Sequence, residues 1–191
     1  MSVPGSPATP PAALDAIVGD LIARVPPPLS LIPGPWPVPH GRAGVGDDAL
    51  RALLADDWAG TRMSAAKLRK LIDTQLVSRH RELGADHPEG RDIGISVDGG
   101  PVGRLLVDLD DEHPADPPAV VLVDIAIRPD RQRQGTGGQV TRALLAAAAE
   151  QHHAVRATGV YGSASLTWLL GLGLVDVGGD ALYRQLIWTG A

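Results

Sequence analysis

The 191-residue sequence predicts a mixed α/β, three-layer fold of the α+β class. Three observations carry that expectation. Ala119–Ile127 is an almost continuous apolar run, as a central strand covered on both faces requires. A glycine-rich turn follows it and opens the small-residue helical stretch Thr136–Gln151. Upstream, two strand-like runs, Asp92–Val97 and Val102–Asp108, meet through Asp98-Gly99-Gly100-Pro101, a strong hairpin signal.

Taken in order, the first forty residues stand apart, because they hold eleven of the seventeen prolines. Such stretches favour extended, semi-rigid backbone. Between them lies a short amphipathic helix over residues 12–25. Leu14, Ile17, Val18, Leu21, Ile22 and Val25 fall at helical spacing and form one apolar face, and Pro26 stops it. A helix this short is marginal alone, so the stripe implies a partner surface, either on its own domain or on another protein. Residues 1–42 therefore read as a proline-rich extension and 43–191 as the folded domain. Asp47–Trp58 reads as a helix with acidic residues at its start, and Ser64–Leu83 as a longer one that Gly84 is expected to end. The acidic segment Asp110–Pro118 is a loop. After Thr136–Gln151 come a strand near Val155–Val160 and a helix near Ala164–Leu172. A short strand near Val175 and a longer one, Ala181–Trp188, close the series. Only Trp36–Gly44 is left for a strand ahead of the first two helices, and prolines weaken it.

Composition narrows the chemistry. There is no cysteine, hence no disulfide framework, thiolate metal site or cysteine nucleophile. The pair His152-His153 lacks further ligands, so no metal is expected. A formal charge of −5 argues against nucleic acid as the main partner. No segment has the apolar length to span a bilayer, and the amino terminus lacks the basic and apolar regions of a signal peptide. A soluble, cytoplasmic protein is the expectation.

The most informative stretch is the turn before Thr136. Gln132-Arg133-Gln134-Gly135-Thr136-Gly137 follows the strand-end Ile127 and leads into a helix. Such a turn offers unpaired N–H groups and the positive end of a helix dipole to an anion. Arg131 and Arg133 add charge. The glycine spacing is neither that of a dinucleotide fold nor that of a P-loop. The pattern Gln-x-x-Gly-x-Gly at residues 132–137 resembles motif A of the GNAT-type N-acetyltransferases, whose loop holds the pyrophosphate of acetyl-coenzyme A. By element order the resemblance covers roughly residues 43–189. It implies a GNAT-like fold, with a central, mostly antiparallel twisted sheet of six to seven strands flanked by about four helices.

The resemblance also implies a division of labour. The backbone of Ile125, Ala126, Ile127 and Arg128 would pair with the pantetheine arm of acetyl-CoA. Arg133, Gln134, Gly135, Thr136, Gly137 and Gly138 would hold its pyrophosphate, and Trp168 would face the coenzyme. The family often carries a tyrosine that protonates the leaving thiolate; counting back from Gly173-Leu174, that position is Leu169 here. Tyr161, at the end of the preceding strand, has a phenol able to serve instead. The glutamate some members keep in the central strand is Val121 here. Asp124 is that strand's only carboxylate, a candidate base or a charge needing a structural partner, with Arg128 and Arg104 in reach by sequence. Strand alternation sets Asp124 on the face opposite Val121, Val123, Ile125 and Ile127. Glu82, His80 and His87, near the end of the second helix, are further bases for the acceptor side. The implied activity is N-acetyl transfer from acetyl-CoA to a primary amine of a small molecule or protein. The departures leave a second reading, an acyl-CoA-binding module with weak catalysis, recruited to a protein partner through residues 12–25. The family's edge strands leave a homodimer open.

Overall fold

The computed structural model describes residues 10–36, 38, 44, 46–58, 60–110 and 118–190, without the side chains of residues 10, 11 and 57. Along them run α1 (Pro10–Arg24), β1 (Leu29–Pro33), α2 (Asp47–Asp57), α3 (Ala65–Asp86), β2 (Arg91–Val97), β3 (Gly100–Leu109) and β4 (Ala119–Ile127). A single 3-10 turn at Pro129–Arg131 leads to α4 (Thr136–Glu150), β5 (Ala154–Val160), α5 (Ala164–Gly171), β6 (Val175–Gly179) and β7 (Tyr183–Trp188). The strands form one sheet in the order β1-β2-β3-β4-β5-β7-β6. Neighbours are antiparallel except β4 and β5, which run parallel. A parallel pair needs a crossover, and α4 is that crossover.

Two faces result. Leu14, Ile17, Val18 and Leu21 of α1 share one core cluster with Val140, Leu144 and Ala147 of α4, Leu166 and Leu169 of α5, and Ile93, Ile95, Leu105, Val120 and Val155 of the sheet. The opposite face carries α2 and α3, with a smaller cluster of Leu50, Ile72, Leu76 and Ala126. The layers are therefore α1/α4/α5, sheet, α2/α3.

At the amino terminus the own-domain alternative for the apolar stripe is the one the structure shows, while the domain division differs from expectation. The stripe on α1 is buried in the protein's own core, so residues 10–33 are part of the folded unit and a division at 42/43 does not match the packing. Residues 12–25 accordingly have no free apolar face to offer a protein partner. Each of Leu14, Ile17 and Leu21 contributes about 1.5–3 kcal/mol by leaving water. An edge strand lies at Leu29–Pro33. After Pro26 ends the helix, Leu29 and Leu31 alternate inward and pair with Val97 and Ile95 of β2, and Pro33 falls at the strand's end on a sheet edge, where its missing N–H costs little. Of the expected stretch Trp36–Gly44, residues 37 and 39–43 lie outside the described residues.

Two smaller differences have local causes. Helix α3 runs through Gly84 and stops at His87 (φ −131°, ψ 63°). Pro88 explains it, since the residue before a proline is pushed out of the helical region. In β4, Leu106 pairs with Asp124 but Val107 pairs with Leu122, leaving Val123 as a bulge. Asp108 pairs with Val121. Because Leu106 and Asp108 share one face of β3, Val121 and Asp124 share a face too, contrary to simple alternation. The bulge flips the pattern.

Candidate active site

The turn before α4 leaves the helix start without a side-chain cap. Gly135 adopts φ +87° at the helix N-cap and Arg133 φ +59° two residues earlier. Left-handed residues alternating with ordinary ones turn backbone N–H groups to one side, and the first helical turn adds its own unpaired donors. Gln132 Nε2 donates to the Ile127 carbonyl at 2.9 Å and Gln134 Nε2 to that of Asp130 at 3.1 Å, fixing the turn to the strand end. The two glutamines thus brace the loop from outside. Arg128 grips Asp130 through two hydrogen bonds of 3.0 and 3.2 Å, which hold that carboxyl below its usual range. Arg133 stays exposed in the turn. Arg142 of α4, one turn beyond Gly138, lies with its guanidinium against that glycine; a Cβ there would stand 3.4 Å from Nη1. That cation escaped the sequence reading, although its four-residue spacing from a first-turn glycine was the available signal.

Beside this turn the sheet opens. β4 and β5 pair only from Ala119–Ala154 to Leu122–Ala157. Beyond the Val123 bulge, which bends β4 and raises its twist, the groups that would have continued the ladder face a gap along Ile125, Ala126 and Ile127. At its mouth stand Gly137, Ile127 and Trp168. A Cβ on Gly137 would lie 3.6 Å from the indole of Trp168 and 3.7 Å from Ile127 Cγ1. The structure thus brings together the strand end, the turn and Trp168. Tyr161 is 69 % exposed beyond the end of β5, its N–H donating to the Leu182 carbonyl. Leu169, in the position of the family's tyrosine, is buried in the main core.

The α2/α3 face holds the other half. A cleft of about 690 Å³ is lined by the end of α3 (Asp86, His87), by Asp108 and Asp110, by Val121, by Ala157 and Thr158, and by the β6–β7 hairpin. Val121, Ala157 and Thr158 mark the apex where β4 and β5 part, so the cleft reaches the point where the gap begins. Arg156 pairs with Asp110 at 2.9 Å inside it.

Nearby charges are mostly committed. Asp124 Oδ1 accepts from Arg79 Nη2 of α3 at 2.8 Å. Neither Arg104 nor Arg128 is its partner. Arg104, wholly buried, donates to Asp92 at 2.9 Å and lies 5.6 Å from the Trp36 ring centre. Burial pushes the Asp92 carboxyl up to about 6, against the charge and hydrogen bond of Arg104. His80 Nε2 sits 3.1 Å from Asp47 Oδ1. Burial raises Asp47, but the contact with His80, the Gly44 amide and the charges of His80 and Arg51 outweigh it and leave it below its usual range. Glu82 accepts from Ser78 on the exposed side of α3. Of the candidate bases, His87 alone lines the cleft.

Two strands that part beside a glycine-led helix start, with a cleft at the point of parting, make up the site. Residues 48–163, more than half of the chain, match the model of the Acetyltransferase (GNAT) family, and the chain belongs to that family. Among solved structures, an acetyltransferase from Thermus thermophilus superposes with a TM-score of 0.54 at 19 % identity, over 84 % of this chain and 96 % of that one. A GNAT family acetyltransferase from Elizabethkingia anophelis, with acetyl-CoA bound, gives 0.51 at 13 % identity, over 86 % and 100 %. The PaiA N-acetyltransferase of Thermoplasma acidophilum, in complex with coenzyme A, gives 0.51 at 11 % identity, over 75 % and 90 %. At these identities the likeness is one of fold. No curated protein matches the sequence.

Proposed function

We propose that this protein moves an acetyl group from acetyl-CoA to a primary amine by direct attack. The observation that carries the reading is the meeting of the β4–β5 gap with the cleft at Val121 and Ala157. The coenzyme's diphosphate would lie on the amides of Arg133–Gly138, with Gln134 and Thr136 in that turn. Its pantetheine arm would run along Ile125–Arg128 past Trp168, and the thioester would reach the apex. There an amine entering from the cleft meets the carbonyl. Holding both substrates in one channel removes much of the entropic barrier, and backbone N–H groups at the bulge stabilise the developing oxyanion. Tyr161 is the phenol offered to the leaving thiolate. Asp124, bound to Arg79, serves as a structural charge rather than a base. The acceptor's shape is left to the cleft, whose lining mixes carboxylates with Arg156.

The test is thiol release from acetyl-CoA over a panel of primary amines. Release that depends on one amine supports transfer. The second reading, a coenzyme-binding module of weak catalysis, draws support from buried Leu169 where the family's acid would stand. It expects tight coenzyme binding with no release on any amine. Its recruitment by way of residues 12–25 has lost its basis, because that face packs on α4.

A further inference from the structure

We infer that His87, oriented by Asp108, is the base that takes the proton from the acceptor ammonium; the inference rests on the transfer reading above. His87 Nδ1 lies 3.1 Å from Asp108 Oδ2. An ionised carboxylate only accepts, so in the neutral imidazole this contact places the hydrogen on Nδ1 and the lone pair on Nε2. Asp108 is itself fixed, its Oδ1 accepting from the Leu109 amide at 2.8 Å, and its side chain is 11 % exposed against 26 % for His87. The histidine's backbone is pinned on both sides. Its N–H donates to the Leu83 carbonyl at 2.8 Å, and its own carbonyl accepts from Trp36 Nε1 at 2.6 Å and from the Gly90 amide at 3.2 Å. Asp108 pairs in register with Val121, the strand residue at the apex. Both members of the dyad line the cleft that also contains Ala157 and Thr158.

Nothing else there is as well prepared. Among the described residues, the charged groups that line the cleft with His87 are Asp86 and Glu89 from its own turn, Asp108 and Asp110 from the end of β3, and Arg156 from β5. Arg156 holds Asp110, and an arginine does not accept a proton. The carboxylates around the cleft favour a cationic acceptor, which must lose a proton before it can attack. His87 Nε2 takes that proton, directly or through one water, and passes it to solvent. The freed lone pair forms the C–N bond to the thioester carbon as the C–S bond breaks. The nitrogen's second proton goes to the departing thiolate, giving amide and free thiol. Asp108 is the positioning residue, acting through the imidazole.

The experiment follows kcat and kcat/KM against pH in the thiol-release assay, with acetyl-CoA and three probes: propylamine, 1,4-diaminobutane and a lysine amide. H87Q is expected to lower kcat by about 10²–10⁴-fold, to leave coenzyme A binding by calorimetry unchanged, and to erase the acid-side fall of the pH profile. D108N, which keeps the imidazole, is expected to lower kcat at least about tenfold by freeing the wrong tautomer, with recovery in D108E. This second variant decides the matter should H87Q not fold. Release that neither variant diminishes overturns the role of His87 while leaving transfer intact. No release with any probe by the unaltered protein overturns the transfer reading, and this inference with it.

Discussion

The two faces of the sheet are built on different physics. On the α1/α4/α5 side, leucines, isoleucines, valines and alanines close over the strands and bury almost no charge. On the α2/α3 side, Asp47, His80, Asp92, Arg104 and Asp108 sit buried or nearly so, with only a small apolar cluster beside them. The dry face packs α4 against β4 and β5, which sets the turn before it beside the strand end. The charged face is costly to fold, and of these charges Asp108 lines the cleft. An apolar layer on one side and buried charge beside a cleft on the other fit the proposed transfer.

The largest effect expected from breaking that contrast is at Arg104. Arg104→Ala leaves Asp92 as a buried, unmatched charge and should cost about 3–5 kcal/mol of stability in urea unfolding. Replacing both, as R104M/D92L, should restore stability or exceed that of the unaltered protein, because packed apolar residues do as well as a buried pair. A double variant as damaged as the single one would mean that the pair shapes the fold by some other route. On the dry face, Leu21→Ala should cost about 2–5 kcal/mol through lost burial and a residual cavity. A loss below about 0.5 kcal/mol would mean that α1 only rests on the domain.

The charged face should also show itself in pH. Asp92 stands at about 6 in the folded protein against 3.8 for an ordinary aspartate. Below pH 3.8 both states hold the proton. As pH rises from there to 6 the unfolded chain ionises first, so this group's contribution falls across the window and levels off above it. The drop amounts to roughly 3 kcal/mol. Subtracting the stability of D92N from that of the unaltered protein at a series of pH values isolates it; a flat difference would contradict the burial argument. The smallest effect belongs to the turn before α4. Gly135→Ala forces a Cβ into the left-handed region, at about 1–2 kcal/mol, with no neighbour within 4 Å to clash. Thermal unfolding should register that modest loss, and coenzyme affinity should fall as the turn relaxes.

The contrast also sorts what could be read from residues alone. The dry face announces itself: β4 is a continuous apolar run, α4 a stretch of small residues, and the turn between them carries glycines at informative spacing. The stripe on α1 said that a partner surface exists, but periodicity carries no address, and the surface was α4. The edge strand hid among prolines because five residues with two inward leucines make a weak signal. The bulge at Val123 has no signature, since any residue can be the extra one, and it reversed the face assigned to Asp124. Long-range pairs were the least accessible. Arg79 meets Asp124 across 45 positions and His87 meets Asp108 across 21, and no local pattern encodes either. For the same reason Arg104 and Arg128 looked like partners of Asp124 until the fold gave each another aspartate.

The central claim is that backbone amides before α4 hold the diphosphate of the acyl carrier, and amide NMR with coenzyme A tests it most directly. On titration, the amides of Arg133–Gly138 should move most, with those of Val123–Ile127 following along the gap. Unmoved amides in that turn, with the large shifts gathered elsewhere, would contradict the account.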